Sequence, residues 1–310
     1  MLRSPLLLLS LVLSASACFE AREDTSLVVD LRVLGLSVDP PELMAQSCGA
    51  LSAEATPEDL LALRAFLAPV TFRALIADAA GNDREIAYEL LACASREDLT
   101  CAHPDEHVLI ASGLTRAGEL TLPALVPGAL TTESGPLLLQ VQRNDPLGGL
   151  RGLRLPLVLH VTTAEEEIYA RKDLLFSCKL FPEARANLQP TLEDVRINGQ
   201  PASALEVRGY EPVILLPAEL STKQEKYFEL SLDGVAREHT EQWHLSWFTN
   251  AGSIKGSGEA GSDPAATDQS FGATWTPPPD GKTRDVIIWG VVRDGRGGIA
   301  WTRRELHHVP

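Results

Sequence analysis

The chain has 310 residues, and its 42 acidic side chains against 27 Lys and Arg give a formal net charge of −15. That balance argues against a nucleic-acid partner, which is gripped through Lys and Arg on phosphates, and against charge-driven docking on anionic lipid. The length suffices for one large or two ordinary domains, each able to bury its own core. The first predicted element is an export signal over residues 1–17: Arg3, an apolar run from Leu6 to Leu13, then the small residues Ala15-Ser16-Ala17. The run falls short of the ~20 apolar residues that span a bilayer.

Small residues followed by Cys18 resemble the lipobox of bacterial lipoproteins, with Ala15 where that family usually carries Leu. The resemblance implies that Cys18 becomes the first residue and carries acyl chains, and that the protein sits in a bacterial cell envelope. The competing reading is ordinary cleavage after Ala17. Two or more acyl chains hold a protein stably, at about 0.8 kcal/mol per buried methylene. Residues 18–26 form a polar tether, and Phe19 after the lipid-bearing Cys points to the outer membrane. The remaining cysteines, Cys48, Cys93, Cys101 and Cys178, suit an oxidising compartment. Four cysteines allow three pairings. The preferred one joins Cys93 to Cys101 across a polar loop and Cys48 to Cys178 across the first domain.

Short apolar or alternating runs follow: LVVDLRVLGLSV, VTFRALIAD, IAYELLAC, HVLIASGL, PLLLQVQR, LPLVLHVTT and IYARKDLLFSC. Their spacing predicts an all-β domain over 27–180. One short helix is predicted within it, at 57–67, from Thr56 as cap, Pro57 at the first position and acids in the first turn. Two prolines in FPEARANLQP mark a linker over 181–190. A second strand series fills 191–310 and ends in a hairpin turned by Asp294-Gly295-Arg296-Gly297-Gly298.

WHLSWFTNAGS, TWTPP and VIIWGVVRDGRGGIAW, taken with the opening LRVLGLSVDPPE, resemble the Ig-like or PKD-like domains of bacterial surface lipoproteins. The resemblance implies two tandem Ig-like β-sandwich domains and an envelope location, with no catalytic residue to carry over.

Candidate sites are few. Trp243 and Trp247 alternate with Leu245 and share one strand face. They are expected mainly as core, with a sugar-binding platform as the functional alternative. Cys101, His103, Asp105, Glu106 and His107 have zinc-ligand chemistry, but Pro104 and a disulfide at Cys101 oppose it. Asp263, Asp268 and Asp294 offer oxygens to calcium without the spacing of a known loop. Glu165-Glu166-Glu167 reads as a solvated turn and His307-His308 as an exposed tail. Gly281-Lys282-Thr283 follows Pro277, Pro278 and Pro279, which lack the N–H groups of a phosphate loop. No G-x-S-x-G or H-E-x-x-H motif occurs. The expectation is therefore a lipid-anchored, non-enzymatic binding or structural protein without a cofactor, its partner an envelope protein or a glycan. A carbohydrate-binding accessory protein using the Trp-rich region is the alternative.

Overall fold

The computed structural model describes residues 25–48, 63–79, 83–146, 149, 152–192, 195–201, 205–220, 223–231, 233–256, 258–259 and 267–310. The export signal, Cys18, the tether up to residue 24, residues 57–62 of the predicted helix and Asp263 lie outside these.

The amino-terminal half contains β1 (Leu31–Asp39), β2 (Glu42–Ala45), β3 (Thr71–Asp78), β4 (Ile86–Cys93), β5 (His107–Thr115), β6 (Gly118–Thr121), β7 (Thr131–Thr132), β8 (Gly135–Pro136), β9 (Leu153–Thr162) and β10 (Glu167–Cys178). A sheet ordered β1-β3-β6 faces one ordered β2-β10-β9-β4-β5. Alternation drives the packing: Leu153, Leu155, Leu157, Leu159 and Val161 of β9 all point into the core. There they meet Phe72, Ala74 and Ile76 of β3, and Leu36 and Val38 of β1.

The carboxy-terminal half contains β11 (Val195–Ile197), β12 (Gln200–Pro201), β13 (Leu205–Arg208), β14 (Val213–Pro217), β15 (Lys226–Leu230), β16 (Ala236–Thr240), β17 (His244–Thr249), β18 (Ser253–Lys255), β19 (Gly258–Glu259), β20 (Ala273–Thr276), β21 (Arg284–Arg293) and β22 (Ile299–Val309). Its sheets are ordered β12-β11-β14-β20-β18 and β13-β22-β21-β17-β19. The two halves share one wiring. In each, a short early strand crosses to lie parallel beside the last strand, β2 along β10 and β13 along β22. Strands lettered along the chain read A-B-E against G-F-C, the order of an immunoglobulin-like sandwich, and the second half adds D. The fold is all-β, with β15 and β16 standing apart as a two-stranded ribbon between the B and C strands of the second sandwich.

The segment PLLLQVQR, predicted as a strand, is instead α1 (Leu137–Asn144), the one α-helix among the described residues. Leu137, Gln140 and Val141 fall at helical spacing and are the buried positions. Leu, Gln and Arg favour helix over strand. Of the predicted helix at 57–67, the described part, Leu63–Leu67, is a 3₁₀ turn whose Phe66 packs edge-on against Phe176 at 5.2 Å.

The sandwiches do not sit end to end like beads. Leu34, Leu75 and Ala77 from the outer face of the β1-β3-β6 sheet cluster with Trp289 and Val291 from the outer face of β21. Phe248, Ile287, Ile299 and Trp301 extend the same cluster. Four sheets are therefore stacked, and β1, β3 and β21 are covered on both faces. Gly35 permits the close approach, since a Cβ there would lie 3.1 Å from the Trp301 ring. The start of the chain joins this seam: Val28 N–H donates to the Thr249 carbonyl at 2.7 Å, and Thr249 N–H to that of Ser26 at 2.9 Å.

Candidate functional site

The segment 181–190, expected as a linker, is bonded to both sandwiches. Asn187 is buried; its backbone N–H donates to Glu42 at 2.6 Å and its side-chain amide to Asp294 at 2.8 Å. The Gln189 amide donates to Ser37 at 3.0 Å, and its carbonyl oxygen accepts from the Ile299 N–H at 2.8 Å. Beside this seam the β21–β22 turn reaches the first sandwich. Asp294 folds that turn by accepting the N–H groups of Arg296, Gly297 and Gly298 at 2.7–2.8 Å. A Cβ at Gly298 would collide with the same carboxylate. With its oxygens committed to N–H donors, Asp294 faces a donor set opposite to what a calcium ion requires.

The turn carries Arg296 into a nest of carboxylates: Glu241 at 3.2 Å, Glu42 at 3.7 Å and Glu225 at 3.8 Å. Its guanidinium also lies 4.3 Å from the centre of the Tyr227 ring. Burial pushes the Glu241 carboxyl above its ordinary range, a shift opposed by the N–H groups of Trp243 and Glu225. Lys172, on β10, is buried and donates to the Gly297 carbonyl. Desolvation lowers its pKa to about 8, against the pull of Asp294.

Of these groups, Glu42, Lys172, Tyr227, Arg296 and Gly297 line a cleft of about 1370 Å³ between the sandwiches. One wall is β10 and the 180–184 segment, with Leu175, Leu180 and Phe181; the other is β15, with Tyr227, Phe228 and Leu230. Leu180, Leu99 and Phe228 on these walls are exposed. Basic groups gather on the β10 side. Arg171 pairs with Asp173 at 2.8 Å and Arg96 pairs with it at 3.1 Å, whereas Arg154 has no ion pair among the described residues. A smaller hollow of about 610 Å³ continues the trough and shares Met44, Ala184, Tyr227 and Arg296.

Trp243 and Trp247 are both core residues, 2% and 3% exposed, so they do not form the aromatic platform that was the alternative reading. Their indole N–H groups donate to Glu241 at 2.8 Å and to the Phe271 carbonyl at 2.9 Å. The alternation that put them on one face put them on the inner face. Trp247, on the C strand, fills the place of the buried sandwich tryptophan. Trp275 and Trp289 are buried as well, while Trp301 is half-buried at the seam and donates to Glu119 at 3.2 Å.

Both preferred disulfides are present, Cys48–Cys178 and Cys93–Cys101. Cys101 is thereby committed, and His107 Nδ1 lies 2.9 Å from the His103 carbonyl. Among the described residues no group of three metal-ligating side chains converges. The acidic run 165–167 is more than a solvated turn. Arg84 is clasped by Asp78 and Glu165, each at 2.8 Å, and by Glu166. Glu167 contacts His160 at 3.0 Å and accepts from Tyr169 at 2.7 Å, bonds that hold its carboxyl below the ordinary range. The expected His307-His308 tail belongs to β22: His308 is fully buried, its Nε2 2.9 Å from the Gly209 carbonyl, because the strand continues to Val309.

No protein-family model matches the chain, and no curated protein matches its sequence. Among solved structures, a red sea bream transglutaminase aligns at 11% identity over 90% of this chain and 32% of that one, with a TM-score of 0.24. The chain thus spans about a third of that enzyme. Murine CEACAM1b aligns at 6% identity over 90% of this chain and 100% of that one, with a TM-score of 0.20. A Porphyromonas gingivalis protein of unknown function aligns at 12% identity over 89% and 99%, with a TM-score of 0.21. Overlays this loose carry no argument, so the immunoglobulin-like assignment rests on strand order. Among the described residues no helix is long and apolar enough to cross a membrane.

Proposed function

We propose that this chain is a lipid-anchored protein of a bacterial cell envelope, held through acyl chains on Cys18, that works without catalysis as a binding and structural module. One observation carries the binding part: the cleft between the clamped sandwiches combines exposed apolar walls with polar groups already engaged by one another. Glu42 is held by Ser177, Asn187 and Arg296; Lys172 by the Gly297 carbonyl; Asp173 by Arg171 and Arg96. Such groups shape a site and offer no idle acid–base pair to a substrate. The anchoring part is supported by the small-residue run before Cys18, by two disulfides suited to an oxidising compartment, and by a polar stretch between Cys18 and Ser26.

The test is the intact mass of the chain extracted from membranes of its native host. A mature chain that begins at Cys18 and carries added acyl mass is the expected result. A chain with an unmodified Cys18 overturns the anchor while leaving the cleft to be judged by binding. The sugar-binding alternative loses its platform with the burial of Trp243 and Trp247.

A further inference from the structure

Among the described residues the β15–β16 ribbon stays a sheet of only two strands. A two-stranded ribbon is marginal in water and gains independent stability from a third strand or a packed face. Its register pairs Lys226 with Thr240 and Leu230 with Ala236. The bonds from Glu241 N–H to the Glu225 carbonyl and from Ser231 N–H to the Val235 carbonyl, both 2.9 Å, fix which residues face the partner strand. Antiparallel pairing alternates, so Glu225, Tyr227, Glu229 and Ser231 point their backbone groups toward β16. Lys226, Phe228 and Leu230 point theirs the other way. The cleft is lined by Tyr227 through Ser231 and by no residue of β16, so the free edge is the one that faces it.

We propose that the cleft receives an extended peptide segment of a partner protein, which adds as a third strand along β15. This rests on the binding-module reading and gives it a ligand class. Four observations converge. The backbone groups at Lys226, Phe228 and Leu230, which have no backbone partner among the described residues, supply a hydrogen-bond template. The trough lines β15 from Glu225 to Ser231 across both hollows, a length of roughly 23 Å at the rise of a strand. Its volume of about 1370 Å³ exceeds the roughly 300–1,000 Å³ of ordinary small-molecule pockets. Finally, its opposite wall pairs apolar ground (Leu175, Leu180, Phe181) with Arg154, which has no ion pair among the described residues, and with Arg171, whose partner Asp173 is also drawn on by Arg96. In a chain of net charge −15 this local surplus of cations selects acidic residues. The fitting segment alternates apolar side chains with Asp or Glu.

The experiment pans a phage-displayed random dodecapeptide library against the full chain, then measures synthetic winners by titration calorimetry and amide exchange. Selected peptides are expected to alternate apolar and acidic residues and to slow exchange of the Phe228 and Leu230 amides at least tenfold. Phe228→Pro removes an outward N–H and leaves the ribbon's own ladder intact, and should weaken binding at least tenfold. Phe228→Val keeps the N–H and should bind within about threefold of the parent; Arg154→Glu should lose at least tenfold. Peptides that bind Phe228→Pro and Phe228→Val alike overturn strand addition. If no peptide is selected but 1-palmitoyl lysophosphatidic acid binds and Arg154→Glu weakens it, the cleft holds an anionic amphiphile; this proposal falls while the binding-module reading stands. If neither probe binds, the binding reading of the cleft falls with it.

Discussion

The two sandwiches share one strand order and differ in how they close it. In the first, the short parallel strand β2 and the end of β10 are locked by Cys48–Cys178. In the second, the matching place, where β13 runs beside the end of β22, has no cysteine. There Gly209 N–H donates to the Val309 carbonyl at 2.8 Å, and buried His308 meets the Gly209 carbonyl at 2.9 Å. The cores differ in the same spirit: the first is mostly Leu, Ile, Val and Ala with Phe66, Phe72 and Phe176, the second is built around Trp243, Trp247, Trp275 and Phe271. Wiring is thus set by the pattern of strands and turns, and closure can be covalent or hydrogen-bonded.

Because all five tryptophans lie in the second half, their fluorescence follows that half, while amide exchange of β4 and β9 follows the first. The largest effect should come from replacing Cys48 and Cys178 together by Ala. The loop they close spans 130 residues, and its release should cost about 4 kcal/mol. The urea midpoint of β4 and β9 exchange should fall well below that of tryptophan fluorescence, and equal falls in both would show that the seam makes the halves one cooperative unit. His308→Ala is the counterpart in the second half. It leaves a cavity and an unmet Gly209 carbonyl, which should cost about 2 kcal/mol, read first in the fluorescence transition.

The smallest effect should come from Lys172→Met, at the seam. Lys172 has a pKa near 8 when folded and an ordinary value of 10.5, so the unfolded chain binds more protons between the two. Stability from this group therefore rises as pH climbs through that window, by up to about 3 kcal/mol. At pH 7 the charged amine is a burden, and Lys172→Met should stabilise by about 1 kcal/mol after losing the bond to Gly297. Near pH 10.5 the variant should lose its advantage. A stability difference that does not change with pH would show that Lys172 is better solvated than its burial implies.

Much of the architecture was legible in the sequence. Alternation in KYFEL, HLSWFT and RLPLVLHV marks strands, and the Asp294–Gly298 turn marks the last hairpin. The stacking of the sandwiches was written there too, in another form. LRVLGLSV and VIIWGVV are nearly continuous apolar runs, the signature of strands covered on both faces. The helix α1 was masked because PLLLQVQR is short and apolar, a case that periodicity resolves poorly; its Leu, Gln and Arg content was the better guide. Fragments far apart in sequence are joined only by the fold. Nothing in AREHT signals a strand, and nothing near Arg154 signals that Phe228 lies across a trough from it.

The seam also has a consequence in time. Val28 and Leu34, among the first described residues, are buried against Trp289 and Val291, close to the end of the chain. A chain synthesised from its amino terminus carries these side chains, with Leu75 and Ala77, uncovered until β21 has been made. The first sandwich can close its own core early, but its outer sheet remains an apolar surface awaiting the last hairpin. During that interval the protein is most open to misassembly, so anything that delays the arrival of β21 and β22 lengthens the exposure.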